Sequence, residues 1–135
     1  MPVADPTTED FVRVADFRAA LREFLRKSER ISRDCGLTPQ RYLLLLMIKG
    51  ASGGKERSTV TELSERLRLA QSTVTELVRR AEQVGLVERQ RSAEDGRVAH
   101  LRLTAEGDRR LARAFTNLEQ ERRELSETIA RLDSA

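Results

Sequence analysis

The chain has no tryptophan, one tyrosine, four phenylalanines, one cysteine and one histidine among 135 residues. A single cysteine excludes an intrachain disulfide framework, and one Cys with one His excludes a Cys/His zinc site. No Ser/His/Asp, Cys/His or paired-carboxylate site assembles around His100 and Cys35. Nor does Gly50-Ala51-Ser52-Gly53-Gly54 have the Walker spacing of a phosphate loop. The expectation is therefore a protein that is not an enzyme and holds no metal or cofactor. Long hydrophobic runs are missing as well. The longest, Tyr42–Ile48, is far short of the roughly 20 residues that span a bilayer, so no membrane partner is expected. Met1–Asp10 is polar, with two prolines and three acids, unlike a signal or transit peptide, and a cytoplasmic setting follows.

What is present is charge. Asp, Glu, Lys and Arg make up 35% of the chain, interspersed with Leu and Val, a composition suited to amphipathic helices in one domain. Net charge is only +3, from 25 Lys and Arg against 22 Asp and Glu. The kind of cation is more telling: Lys27, Lys49 and Lys55 are the only lysines, and the other 22 are arginines. That bias has two readings, GC-rich coding or the fork geometry that holds phosphates and guanine edges.

The periodicity predicts a first long helix over Glu9–Arg33, with Phe11, Val14, Leu21, Phe24, Leu25, Ser28 and Ile31 on one face. Thr38 and Pro39 start a second helix, apolar through Tyr42–Ile48 and broken by Gly50–Gly54. Thr59 and Glu62 have capping-box spacing for a short helix over Val60–Leu67. A fourth runs over Gln71–Val84, with Val74, Leu77, Val78, Ala81 and Val84 turned inward and Gly85 at its end. Leu86–Arg91 and Val98–Leu103 flank a turn containing Asp95-Gly96, which predicts a hairpin. Thr104 caps a last helix to about Leu132, with a seam of Leu111, Phe115, Leu118, Leu125, Ile129 and Leu132 interrupted at Arg122. The outer helices carry apolar seams that the small middle cannot cover, so an obligate homodimer is expected.

The fold class is thus mainly α with a small β-hairpin wing: a winged helix-turn-helix with long terminal dimerisation helices. Residues 1–36 and 105–135 carry dimerisation, and residues 37–104 form the lobe that meets DNA. Opposite the inward stripe of the fourth helix lie Ser72, Thr75, Glu76, Arg79 and Gln83. Such a face is either solvated or seated in a major groove about 12 Å wide. Ser and Thr can meet phosphate or base edges, and Arg79 can meet phosphate or guanine. Glu76 either accepts from cytosine N4 or discourages wrong sites. The hairpin favours the DNA reading. Arg97 is at its tip, Arg89, Arg91 and Arg102 are on its arms, and a ribbon ending in Arg fits the minor groove. Asp95 is placed to orient the Arg97 guanidinium.

These residues resemble the multiple antibiotic resistance regulator (MarR) family. The resemblance runs from Leu37-Thr38-Pro39-Gln40 through Thr59–Leu67, Gln71–Arg80, Gly85–Arg89 and Asp95-Gly96-Arg97 to Leu103-Thr104-Ala105-Glu106-Gly107. It implies a homodimeric repressor on a pseudo-palindromic double-stranded DNA operator. The recognition-helix role falls to Ser72, Thr73, Thr75, Glu76 and Arg79, and the wing role to Asp95 and Arg97. Two departures stand out. Ala70 occupies the position where the recognition helix is often capped by Ser, leaving Ser72 as a local substitute, and Ser92 or Ala93 sits where a second wing Asp is common. The resemblance also implies a small aromatic or phenolic effector, with Phe24, Arg41 and Tyr42 as candidates. Their plainer role is core packing, and Cys35 reads as a non-reactive surface or interface thiol. A winged-helix protein-interaction module without DNA binding is the alternative function.

Overall fold

Side-chain caps set most of the helix starts in the computed structural model, which describes residues 4–91 and 96–132. Helix α1 (Thr8–Asp34) opens on a capping box in which Thr7 accepts from the Asp10 amide and Asp10 accepts from the Thr7 amide. In α2 (Pro39–Lys49), Thr38 Oγ1 accepts from the Arg41 amide. Helix α3 (Val60–Leu67) opens on the expected Thr59/Glu62 box. Helix α4 (Gln71–Gln83) starts without one: Ala70 supplies no side-chain cap, and the expected replacement by Ser72 does not form.

The wing is an antiparallel pair, β1 (Val87–Arg91) and β2 (Ala99–Leu103), in register from Val87 opposite Leu103 to Arg91 opposite Ala99. A third segment joins it that no alternation announced. The Ser58 amide donates to Leu101 O (3.0 Å) and the Leu101 amide donates to Ser58 O (2.8 Å). Helix α2 lies at the centre and touches α1, α3, α4, β2 and α5 (Ala105–Asn117). Its Leu44, Leu45 and Ile48 are fully buried with Leu63 of α3, Val74, Val78 and Ala81 of α4, and Leu86 and Leu101 at the wing. Val84 departs from the expected stripe: it is the residue at which α4 loses helical geometry, and it is exposed.

The last helix is not continuous. It breaks at Leu118 (φ −98°, ψ 3°) into α5 and α6 (Glu119–Leu132). The two halves have different partners. α5 sends Leu111, Ala114 and Leu118 into the lobe core, whereas α6 lies along α1. One straight helix cannot serve both surfaces, and the fully buried Leu118 anchors the change of direction. The expected seam is therefore divided. Leu111 and Leu118 face the protomer's own core, while Phe115 and Ile129 stay exposed. Phe11, Val14 and Leu25 of α1 are exposed within one chain, in keeping with outer seams that the small middle cannot cover. Cys35 corrects the sequence reading too: it is buried at the end of α1, 3.9 Å from the Asn117 amide nitrogen, and is neither a surface nor an open interface thiol.

One junction fixes the recognition lobe to α5. The Thr104 amide donates to Leu86 O (3.0 Å), its hydroxyl donates to Gly85 O (2.6 Å), and the same hydroxyl accepts from the Gly107 amide (3.1 Å). A Cβ on Gly107 would stand only 2.2 Å from the Leu86 carbonyl oxygen, so the position admits glycine alone without backbone movement. Gly107→Ala is expected to cost about 1–3 kcal/mol, the usual range for overpacking. The melting temperature should fall by several degrees, and an unchanged melt would remove this contact from the fold's support.

Candidate nucleic-acid interface

The turn between α3 and α4 aims the recognition helix. Arg68 takes the left-handed conformation (φ 57°) and ends α3. The Ser64 hydroxyl donates to Leu69 O (2.6 Å) and the Leu69 amide donates back to Ser64 O (3.2 Å), closing the turn. Arg66 Nη1 donates to Gly50 O (3.0 Å), tying α3 to the end of α2. With its inner face committed to the core, α4 presents Ser72, Thr73, Thr75 and Arg79 to solvent. Its first turn carries no acidic residue and no side-chain cap, so its amides remain open to an anion.

Glu76 and Arg79 are joined to each other. Arg79 Nε donates to Glu76 Oε2 (2.9 Å) and Arg79 Nη2 to Glu76 Oε1 (2.5 Å), a bidentate pair. Arg80 Nε donates to the same Oε1 at 3.0 Å. The hydrogen bonds from Arg79, then Arg80, pull the Glu76 carboxyl from 4.5 down to about 2, and Glu76 holds Arg79 above its usual value. The i+3 and i+4 spacing that makes this cluster is visible in the sequence.

The wing arginines divide in the same way. Arg89 Nε donates to Glu82 Oε1 (2.9 Å) and ties the wing to α4. Arg91 Nη1 donates to Gly96 O (2.7 Å) across the hairpin. Arg102 stands opposite Glu88, 3.8 Å from its carboxylate. Arg97 is exposed beside Gly96 at the tip. Asp95, with Ser92 and Ala93, lies outside the described residues. The effector candidates are spread out. Phe24 lines a cleft of about 170 Å³ between α1 and α6, with Ala20, Lys27, Glu121 and Leu125. Neither Arg41 nor Tyr42 lines it. Arg41 is half-buried in the first turn of α2, and Tyr42 is buried, its phenol pushed up by desolvation. Among the described residues no group of three or more His, Cys, Asp or Glu is placed to hold a metal, and no helix is long and apolar enough to cross a membrane.

The lowered carboxyl has a testable pH signature. A group depressed on folding contributes stability above its unfolded value, here 4.5, and loses it as pH falls toward about 2. The Glu76 carboxyl signal in an NMR titration is expected to move only near the bottom of that window, and Arg79→Ala should shift its midpoint back toward 4.5.

Comparison with known proteins agrees with this geometry. A family model described as the MarR family matches residues 36–98, the span from the end of α1 to the wing. The chain is 29% identical over 127 residues to YsmB, an uncharacterised HTH-type transcriptional regulator of Bacillus subtilis, covering 91% of this chain and 84% of that one. It is 34% identical over 89 residues to the organic hydroperoxide resistance transcriptional regulator of the same organism, covering 66% of this chain and 58% of that protein. Among solved structures, a mutant MepR of S. aureus bound to an oligodeoxyribonucleotide superposes with a TM-score of 0.68 at 19% identity, over 90% of this chain and 84% of that one. The family match lies on the helix-turn-helix and the first wing strand, and over that span the chain is similar to the MarR family of transcriptional regulators.

Proposed function

We propose that the chain is a cytoplasmic homodimeric repressor that binds a pseudo-palindromic DNA operator and is released by a small aromatic or phenolic effector. The observation that carries the DNA-binding part is the exposed Ser72, Thr73, Thr75 and Arg79 face at the uncapped start of α4, beside a hairpin tipped by Arg97. The helix enters the major groove, where Ser72, Thr73 and Thr75 meet phosphates and base edges. Arg97 enters the adjacent minor groove, with Asp95 orienting it. Arg89 and Arg91 hold the wing in shape and offer their remaining N–H groups to the backbone phosphates. Glu76 belongs to the interface through Arg79. Two such lobes related by a two-fold axis reach half-sites about 34–36 Å apart, and a promoter covered in this way is closed to polymerase.

Dimerisation is supported by the apolar side chains that one protomer leaves uncovered: Phe11 (65% exposed), Val14 (55%), Leu25 (52%), Phe115 (50%) and Ile129 (45%). Residues 1–36 and 105–135 share this surface, and residues 37–104 carry the DNA-binding lobe, with α5 rooted in it. The effector reading rests on the aromatic face of Phe24 in the cleft between α1 and α6, and on two residues outside that cleft, the half-buried cation Arg41 and the buried phenol of Tyr42.

Three measurements test this reading. Sedimentation at micromolar concentration should give a dimer, and Phe11→Asp with Leu25→Asp should give a folded monomer, because both side chains are already exposed in the protomer. A monomeric wild-type chain would defeat the dimer. Arg97→Ala should weaken binding to all duplexes and flatten the salt dependence by about one phosphate-equivalent. Equal affinity and slope would remove Arg97 from the interface. A phenolic carboxylate that acts as effector should raise the melting temperature of wild type and not of Arg41→Ala, and should weaken DNA binding. No effect of such ligands on either readout would defeat the effector.

A further inference from the structure

We infer that Glu76 is a specificity-determining positioning residue: it grips one edge of Arg79, presents the other edge to a guanine, and removes charge that would otherwise bind any phosphate. The inference rests on the DNA-binding reading of α4 and assigns Glu76 one task where its sequence left two.

A guanidinium has five N–H donors in a planar fork. Glu76 engages the side edge of Arg79, Nε to Oε2 and Nη2 to Oε1. The end edge, one N–H from Nη1 and one from Nη2, takes no part in that pair, and the side chain is exposed. That edge is the pair of parallel donors that matches guanine O6 and N7. Arg79 is one turn beyond Thr75 and two beyond Ser72 on the same exposed side of α4, so its free edge faces what those residues face.

The carboxylate also changes which partner Arg79 favours. Arg79 and Arg80 together carry two positive charges, and Glu76 takes hydrogen bonds from both, leaving the trio with one. A phosphate approaching Arg79 meets the adjacent carboxylate and is repelled. A guanine edge is neutral and meets no such penalty. Holding Arg79 in one orientation before binding also lowers the ordering cost of a base contact. The alternative task, acceptance from cytosine N4, would use a carboxylate that already receives three N–H donors from two arginines. A base would compete with those donors, so the pairing favours a role for Glu76 through Arg79.

The test uses full-length wild type, Glu76→Gln, Arg79→Ala and the double variant. Duplexes are selected by the wild type from a randomised pool and compared with a duplex of scrambled sequence at several salt concentrations. Glu76→Gln keeps the shape of the side chain at an exposed position, and Glu76→Ala serves as a second variant; melting curves confirm that each is folded. Both should bind scrambled DNA more tightly, with a salt slope steeper by about one. Preference for guanine at the position that Arg79 reads should fall about fivefold or more, within the range of one bidentate contact. In the Arg79→Ala background, removing Glu76 should no longer change that preference. An unchanged slope and unchanged preference in both Glu76 variants would overturn the inference and leave DNA binding standing. Loss of affinity for the selected duplex with no change on scrambled DNA would make Glu76 a direct base contact and also overturn it. A wild-type chain with no salt-dependent binding to any duplex would overturn the DNA-binding reading, and this inference with it.

Discussion

Gly107 sits under the Leu86 carbonyl because three backbone segments converge there: the end of α4, the return of the wing and the first turn of α5. Thr104 satisfies polar groups on both sides, donating to Gly85 O and accepting from the Gly107 amide, so no buried backbone group at the crossing is left without a partner. The Leu86 carbonyl and the Leu103 side chain pack against Gly107 there. The angle between the recognition helix and α5 is set at this crossing. The exposed face of α4, the wing and α5 therefore share one reference point. A side chain at Gly107 would disturb all three together.

The arginines show how a basic chain limits its own appetite for anions. Arg66 and Arg110 donate to backbone carbonyls at Gly50 and Gly36, Arg89 pairs with Glu82, Arg91 staples the hairpin, and Arg123 pairs with Glu119. Individually, exposed pairs of this kind contribute about 0–1 kcal/mol. Their larger effect is on the field around the molecule. Charge that is matched locally adds little to a long-range potential, so an arginine-rich chain can keep a modest net field.

Most of the fold was legible because its punctuation is local. Thr38-Pro39, the Thr59/Glu62 box and Gly85 mark ends that involve only neighbouring residues, and α3 falls on its expected bounds. Two features were not. The Ser58–Leu101 bridge depends on a single residue pair and leaves no alternation. The break at Leu118 comes from two distant packing partners, which a helix period cannot register. The exposure of Phe11, Val14 and Leu25 within one chain was legible, because the middle of the chain is too small to cover the outer seams. At the site, the exposure of Ser72, Thr75 and Arg79 followed from the inward stripe. The Glu76 clamp was present as i+3 and i+4 spacing, and only geometry distinguished a carboxylate facing its own arginines from one facing a partner.

The break at Leu118 also makes α6 a lever. Its 14 residues rise about 1.5 Å each, giving an arm of about 21 Å from a fulcrum buried in the lobe. A rotation of about 10° at Leu118 would carry the far end of α6 by about 4 Å, by that same length. Run in reverse, a small displacement at the outer end of α6, where it lies along α1, is returned to the lobe as a tilt. In the proposed dimer, the separation of the two lobes would then be set by a joint far from the exposed face of α4.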